Sequence, residues 1–175
     1  DPINGALDHG RWPITEDGKS LYWAGLNKGK RSVLIDTRKP EGQELATRII
    51  TAPGNNSGIL LTNLQAKGWL SYETLKEQRA DLIMMHIVGN RDGSVALDYT
   101  VNAAAGFPFV TGPENYDGPV NHVLPVWDIV AAFAAVNGLL VAERHRRATG
   151  QGQYVREALA DTALSMLSHL GIIGE

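Results

Sequence analysis

Asp128 opens an otherwise apolar stretch that runs to about Arg147. A carboxylate in that place has two readings. It is an N-cap, whose oxygen takes backbone N–H groups, or an ionised nucleophile held at a helix start in partly apolar surroundings. Residue type and spacing leave both open. Lys28-Gly29-Lys30-Arg31 precedes a β-branched run and reads as a solvated turn or as a contact for an anionic ligand. Gly150-Gln151-Gly152 follows a helix, which is the setting of a helix stop rather than a phosphate loop. The five histidines (His9, His86, His122, His145 and His169) have no metal-ligand spacing. His86 lies in an apolar strand and reads as a satisfied core histidine. No GxGxxG, GxxxxGK[ST] or GxSxG segment occurs.

The elements that position these groups follow from pattern. Turn signals fill 1–31, including Asp1-Pro2, Asn4-Gly5, Trp12-Pro13 and Asp17-Gly18, and predict irregular structure. Ser32 to Asp36 reads as a buried strand. A helix then opens at Pro40-Glu41 with Leu45 and Ile49 on its inner face, and ends before Pro53-Gly54. Gly58 to Asn63 predicts a strand, Tyr72 to Arg79 a helix capped by Ser71, and Asp81 to Val88 another strand. That alternation argues for a parallel α/β sheet with flanking helices. Further on, Asp98 predicts the cap of a small helix to Ala105, and Gly106 to Pro125 a long connection. Asp128 predicts the cap of the longest helix, with Phe133, Val136, Leu140 and Val141 on its buried side and Arg144, Arg146 and Arg147 at its negative end. A strand at Tyr154 to Leu159 and a helix capped by Asp161 complete the reading.

Composition narrows the function classes. Sixteen Lys and Arg against nineteen Asp and Glu give a net charge of −3, and 43% of the 175 residues are hydrophobic. That is enough for a core and too little positive charge for a nucleic-acid binder. Nineteen glycines point to tight turns and close backbone approaches. With no cysteine, disulfides, thiolate metal sites and thiol nucleophiles are excluded. The most apolar run, Ile129 to Ala142, is shorter than the roughly 20 residues a membrane span needs. No basic region precedes an apolar one at the start, so a cytoplasmic protein is expected, with no membrane contact and no bound metal. The first residue is Asp1 and the chain stops at Glu175 after an apolar helix. Both ends read as cuts through a larger protein.

Several segments together resemble the family III CoA transferases. Asn27-Lys28-Gly29-Lys30-Arg31-Ser32-Val33, followed by Asp36 and Pro40-Glu41-Gly42, is similar to that family's NKRS…D…PEG stretch. Thr62-Asn63-Leu64 is similar to its ENF strand end. Gly138 to Arg144 followed by Thr149-Gly150-Gln151-Gly152-Gln153 resembles its most specific signature. The resemblance implies a Rossmann-like parallel sheet, part of a larger interlocked-dimer fold whose first β-α unit and C-terminal half lie outside 1–175. It implies that Asp128 is the nucleophile. It also implies CoA contacts at Arg31, Ile35, Thr37 and Arg38, at Asn63 and Leu64, and at Leu97 and Tyr99. Gln65 and Ala66 stand where the family has Arg and Pro. Coenzyme A is then part of the substrate, with no permanently bound cofactor, and the partners are an acyl-CoA, a small carboxylic acid and a second copy of the chain.

Within the family, Asn90-Arg91-Asp92-Gly93, Asp98 to Asn102 and Pro119 to Pro125 look most like the mesaconyl-CoA transferase branch. That branch moves CoA between the two carboxyls of an unsaturated C5 dicarboxylate through an aspartyl-CoA thioester. Arg91, Asn121 and His122 then become the residues expected to hold the free carboxylate. The alternatives are an intermolecular acyl-CoA:carboxylate transferase, a racemase on the same scaffold and a non-catalytic CoA-binding α/β piece. Racemase relatives carry a histidine at the place of Leu97. A leucine exchanges no proton, so the resemblance implies transfer rather than racemisation.

Overall fold

The computed structural model describes Pro2 and residues 5–171, and the chain divides into two compact units, Asp1–Ile50 and Thr51–Glu175. In the first unit the expected irregular stretch, of which Asp1, Ile3 and Asn4 lie outside the described residues, holds a 3-10 turn at Leu7–Gly10 and a short helix α1 (Leu21–Leu26). Ser20 caps α1, its hydroxyl accepting the Trp23 N–H at 3.1 Å. The strand expected at 32–36 does not form, and Val33 and Leu34 are about half exposed. β-branched residues favour an extended backbone, but a strand also needs an edge to pair with. Helix α2 (Pro40–Ile50) begins with proline as predicted. Its buried residue is Thr47, while Leu45 and Ile49, expected on the inner face, are largely exposed. A period of 3.6 marks an apolar stripe without marking what covers it.

The second unit contains β1 (Ile59–Thr62), α3 (Tyr72–Gln78), β2 (Ile83–Val88), α4 (Asp98–Ala104), α5 (Val126–Thr149), β3 (Gln153–Ala158) and α6 (Leu159–His169). The three strands are parallel in the order β1-β2-β3. The central strand β2 is a continuous apolar run, the pattern of a strand covered on both faces, and Leu82 to Met85 are buried almost completely. Met85 pairs with Leu61 on one side and Val155 on the other, and His86 with Thr62 and Arg156. Ser71 caps α3 as predicted, accepting the Thr74 N–H at 3.2 Å.

Helix α5 lies along β2, β3 and α6. Its 24 residues are long and apolar enough, by length and composition, to cross a membrane, so the expectation of a run too short to span is corrected. One side of the helix packs against the sheet, and its last turn carries the buried Arg146. The predicted buried side is also corrected. Trp127, Ala131, Ala135, Ala142 and Arg146 are buried, whereas Phe133, Val136, Leu140 and Val141 are more than half exposed. The small residues face the sheet because the helix approaches it closely: a Cβ on Gly138 would stand 2.8 Å from Met85 Cε. Gly150, at φ 73°, closes the helix as expected. Next to the sheet, Val101, Trp127, Ala131, Leu159 and Ala163 form an apolar cluster joining α4, α5 and α6.

Three predicted caps move. Leu97, Pro125 and Ala158 hold the N-cap positions of α4, α5 and α6, so Asp98 is the first residue of its helix, and Asp128 and Asp161 are the third of theirs. The Asp98 carboxylate binds the start of α5 and that of Asp161 pairs with Arg91.

Candidate active site

The start of α5 is built from the other end of a long connection. Pro125 offers no side-chain acceptor, and the first N–H groups of a helix have no partner within it. Asp98, 4% exposed, supplies the acceptor from α4: its Oδ2 accepts the N–H of Trp127 at 2.7 Å and that of Asp128 at 3.1 Å. One turn along α4, the fully buried Asn102 accepts the Trp127 indole N–H at 3.1 Å and donates to Asn121 Oδ1. Both the backbone and the side chain of Trp127 are therefore held by α4, and the next residue, Asp128, presents an exposed side chain. A carboxylate so placed can attack an electrophilic carbonyl without a metal or an external base.

Of the groups expected to hold a free carboxylate, Asn121 and His122 come to this helix start. The His122 ring bonds through Nδ1 with the Leu124 carbonyl and lies 6.5 Å from the Trp127 ring and 6.3 Å from that of Tyr99. Its Nε2 is buried without a hydrogen-bond partner among the described residues. Arg91 is committed elsewhere, its Nε donating to Asp161 Oδ2 at 2.9 Å while its carbonyl accepts from Arg156.

The expected CoA contacts fall into two groups. Asn63 and Leu64 follow the carboxyl end of β1, and Leu97 and Tyr99 lie on the connection and helix after the carboxyl end of β2. All four are exposed. The carboxyl edge of a parallel sheet is where ligands bind in such folds. Just inside that edge the His86 Nδ1 lies 2.7 Å from the Tyr154 hydroxyl, and Tyr154 stacks on Tyr72. Burial, reinforced by the charge of Arg156, pushes the His86 pKa down, opposed by a hydrogen bond with the Leu64 backbone. His86 is thus the satisfied core histidine that the sequence predicts.

Arg31, Ile35, Thr37 and Arg38 belong to the first unit. Arg31 lines a cavity of about 300 Å³ with Trp23, Asn27, Lys30, Ser32 and Val33. Ile35 and Thr37 shape the turn into α2: the Ile35 carbonyl accepts the Thr37 N–H at 3.2 Å, and the Thr37 carbonyl accepts from the Gln43 amide at 3.0 Å. Arg38 forms a two-pronged pair with Asp36, at 2.7 and 3.0 Å, which holds the Asp36 carboxyl below its ordinary range. Gly42 permits this turn: a Cβ there would lie 2.1 Å from the Asp36 carbonyl oxygen.

Sequence reasoning did not assign Asp98, Asn102 and Trp127 to the site. The available signal was weak: a carboxylate, an amide and an indole in otherwise apolar segments, each of which needs a partner when buried. Among the described residues, no group of three His, Asp or Glu side chains could hold a metal ion.

The family model for CoA-transferase family III matches residues 4–172. The chain is 60% identical over its full length to the 2-methylfumaryl-CoA isomerase of Chloroflexus aurantiacus, of which it covers 43%. Over 88% of its length it is 31% identical to the succinyl-CoA:mesaconate CoA-transferase of Haloarcula hispanica, covering 42% of that protein. A solved CaiB/BaiF family protein from Brucella suis superposes with a TM-score of 0.85 over 98% of this chain and 48% of its own, at 24% identity. The chain thus spans less than half the length of the relatives it matches.

Proposed function

The chain belongs to CoA-transferase family III, and on that premise we propose that it carries the nucleophile of an enzyme moving CoA between the two carboxyls of mesaconyl-CoA. Asp128 attacks the thioester carbonyl, the C–S bond breaks, and a mixed anhydride and CoA thiolate result. The thiolate attacks the anhydride at the Asp128 carbonyl, giving the aspartyl-CoA thioester and the free dicarboxylate. The other carboxylate of that acid attacks the thioester, expelling the thiolate again. Thiolate attack on the acyl carbonyl of the second anhydride then yields the isomeric CoA ester and restores Asp128. No proton, metal or redox partner is needed, and each exchange is close to neutral in energy.

The observation that carries this reading is the exposed Asp128 side chain on a helix start fixed from α4. The 60% identity to a 2-methylfumaryl-CoA isomerase supports the choice of substrate. An intermolecular transferase is the second reading, favoured by the likeness to a succinyl-CoA:mesaconate CoA-transferase and by the Arg91–Asp161 pair, which occupies one expected carboxylate holder. The same proposal includes CoA contacts at Arg31, Ile35, Thr37, Arg38, Asn63, Leu64, Leu97 and Tyr99, no permanently bound cofactor, a cytoplasmic location and an interlocked homodimer.

The test is to incubate the full-length protein with mesaconyl-CoA and hydroxylamine and map the adduct by mass spectrometry. Modification confined to Asp128, together with loss of turnover in Asp128→Asn, is the expected result. Turnover retained in Asp128→Asn overturns the mechanism. Excess labelled free mesaconate then separates the two readings: isomerisation without label entering the thioester marks intramolecular transfer, and label entering at a comparable rate marks the intermolecular reaction.

A further inference from the structure

We propose that Asp98 is a positioning residue for the reaction at Asp128: its buried carboxylate occupies the N–H groups at the start of α5 and cancels the pull of that helix end on the nucleophile. The inference rests on the reading of Asp128 as nucleophile. A helix start bears about half a positive charge, concentrated on its unpaired N–H groups. A carboxylate in the first turn is stabilised by it as an anion, which makes it a poorer nucleophile, because the negative charge moves away from the carboxylate as it attacks.

At α5 the N–H groups of Trp127 and Asp128 both point into Asp98 Oδ2. Capping alone does not require a charge, since an amide oxygen would accept both bonds equally well. What capping leaves unexplained is the second oxygen: Asp98 Oδ1 is buried and has no hydrogen-bond partner among the described residues. Burying a carboxylate with one oxygen unsatisfied is costly, and a neutral cap of the same shape avoids that cost. The retained charge is accounted for if its field acts on its neighbour. Asp98 sets a fixed negative charge against the helix end, beneath the residue whose backbone it holds. Asn102 keeps the arrangement rigid by binding the Trp127 indole from the same helix.

The experiment compares Asp98→Asn, Asp98→Ala and Asp128→Asn in the full-length protein, with mesaconyl-CoA as substrate and activity scaled to the fraction that binds CoA. Asp98→Asn keeps an acceptor for both N–H groups. It is expected to retain wild-type KM, with a thermal midpoint no lower than wild type, while kcat, and the rate at which the hydroxylamine-trapped Asp128 adduct forms, fall together by about tenfold, the size of a helix-end effect on a nearby charge. Asp98→Ala is expected to lose thermal stability as well. A wild-type kcat in Asp98→Asn overturns the proposal, as does a loss that vanishes once activity is scaled to CoA binding. Turnover retained in Asp128→Asn overturns the nucleophile instead, so the two failures are distinct.

Discussion

Met85, in the middle of the central strand, reaches the backbone of α5 at Gly138: a side chain begun at Gly138 would place its first carbon 2.8 Å from Met85 Cε and 3.6 Å from Val155 Cγ1. The nearer atom is the end of a flexible side chain, so a single methyl can be accommodated. Gly138→Ala also gains helix propensity of up to about 1 kcal/mol. Its net effect on unfolding free energy is expected to stay within about 1 kcal/mol. Gly138→Leu has no such relief and is expected to cost about 1–3 kcal/mol through overpacking. Urea denaturation decides: a Leu variant as stable as the Ala variant would show that the helix and sheet are not in close contact there.

Arg146 and Arg147 adjoin in sequence and differ in environment. The buried Arg146 donates through Nη1 to the carbonyls of Ser57 at 2.9 Å and Gly58 at 3.2 Å, tying the last turn of α5 to the start of β1. Arg147 is exposed and pairs with Glu143 one turn earlier. Arg146→Met takes the guanidinium from the Ser57 carbonyl and leaves Gly58 with the Ile83 N–H alone, and is expected to cost about 2–4 kcal/mol, with partial recovery in Arg146→Lys. Arg147→Ala is expected to change stability by less than about 0.5 kcal/mol. Equal losses in the two variants would contradict this assignment.

These two cases also show where sequence reasoning stops. The alternation of apolar strands and helices marks β1, α3, β2 and β3 within a residue or two, because β2 must be apolar throughout when both its faces are covered. The phase of α5 is lost. Phe133, Val136, Leu140 and Val141 outweigh Ala131, Ala135 and Ala142 on any apolar scale, yet a close helix–sheet approach selects small residues. The 32–36 run fails for a related reason, since strand pairing is a tertiary decision. At the candidate site, Asp128 is singled out only through the resemblance around Gly138 to Gln153. Asp98 is not, because a carboxylate that caps a helix thirty residues away looks the same in sequence as one that caps its own.

His86 gives the fold a pH dependence. Burial lowers its pKa below the ordinary 6.5, so between the lowered value and 6.5 the unfolded chain binds more protons than the folded one. Stability from this group is therefore complete above 6.5 and is lost as pH falls toward the lowered value. His86→Gln removes the titration. The thermal midpoint of the variant is expected to fall less than that of the wild-type protein between about pH 7 and about pH 5. Parallel curves over that interval would show that His86 is not held neutral by the fold.

Arg38 already spends its Nε and Nη2 on Asp36, so an anionic ligand meets a partly engaged guanidinium. The pair is highly exposed at the arginine, and Asp36 also takes the Arg38 backbone N–H through Oδ1 at 3.2 Å. On the proposed function a CoA phosphate competes with this carboxylate for one guanidinium, and the two substitutions act in opposite directions. Arg38→Ala removes a charge-assisted bond and is expected to raise KM for mesaconyl-CoA about five- to tenfold with little effect on kcat. Asp36→Asn keeps an acceptor for the backbone N–H while releasing the guanidinium, and is expected to lower KM about two- to threefold. Both shifts should shrink as salt rises from about 0.01 M to about 0.5 M, since exposed charges are screened over that range. Steady-state kinetics at the two salt concentrations checks this. A KM that is unchanged in Arg38→Ala at low salt takes Arg38 out of the CoA site. A KM that rises in Asp36→Asn shows instead that the pair works as a unit, with Asp36 aiming the guanidinium at the phosphate rather than withholding it.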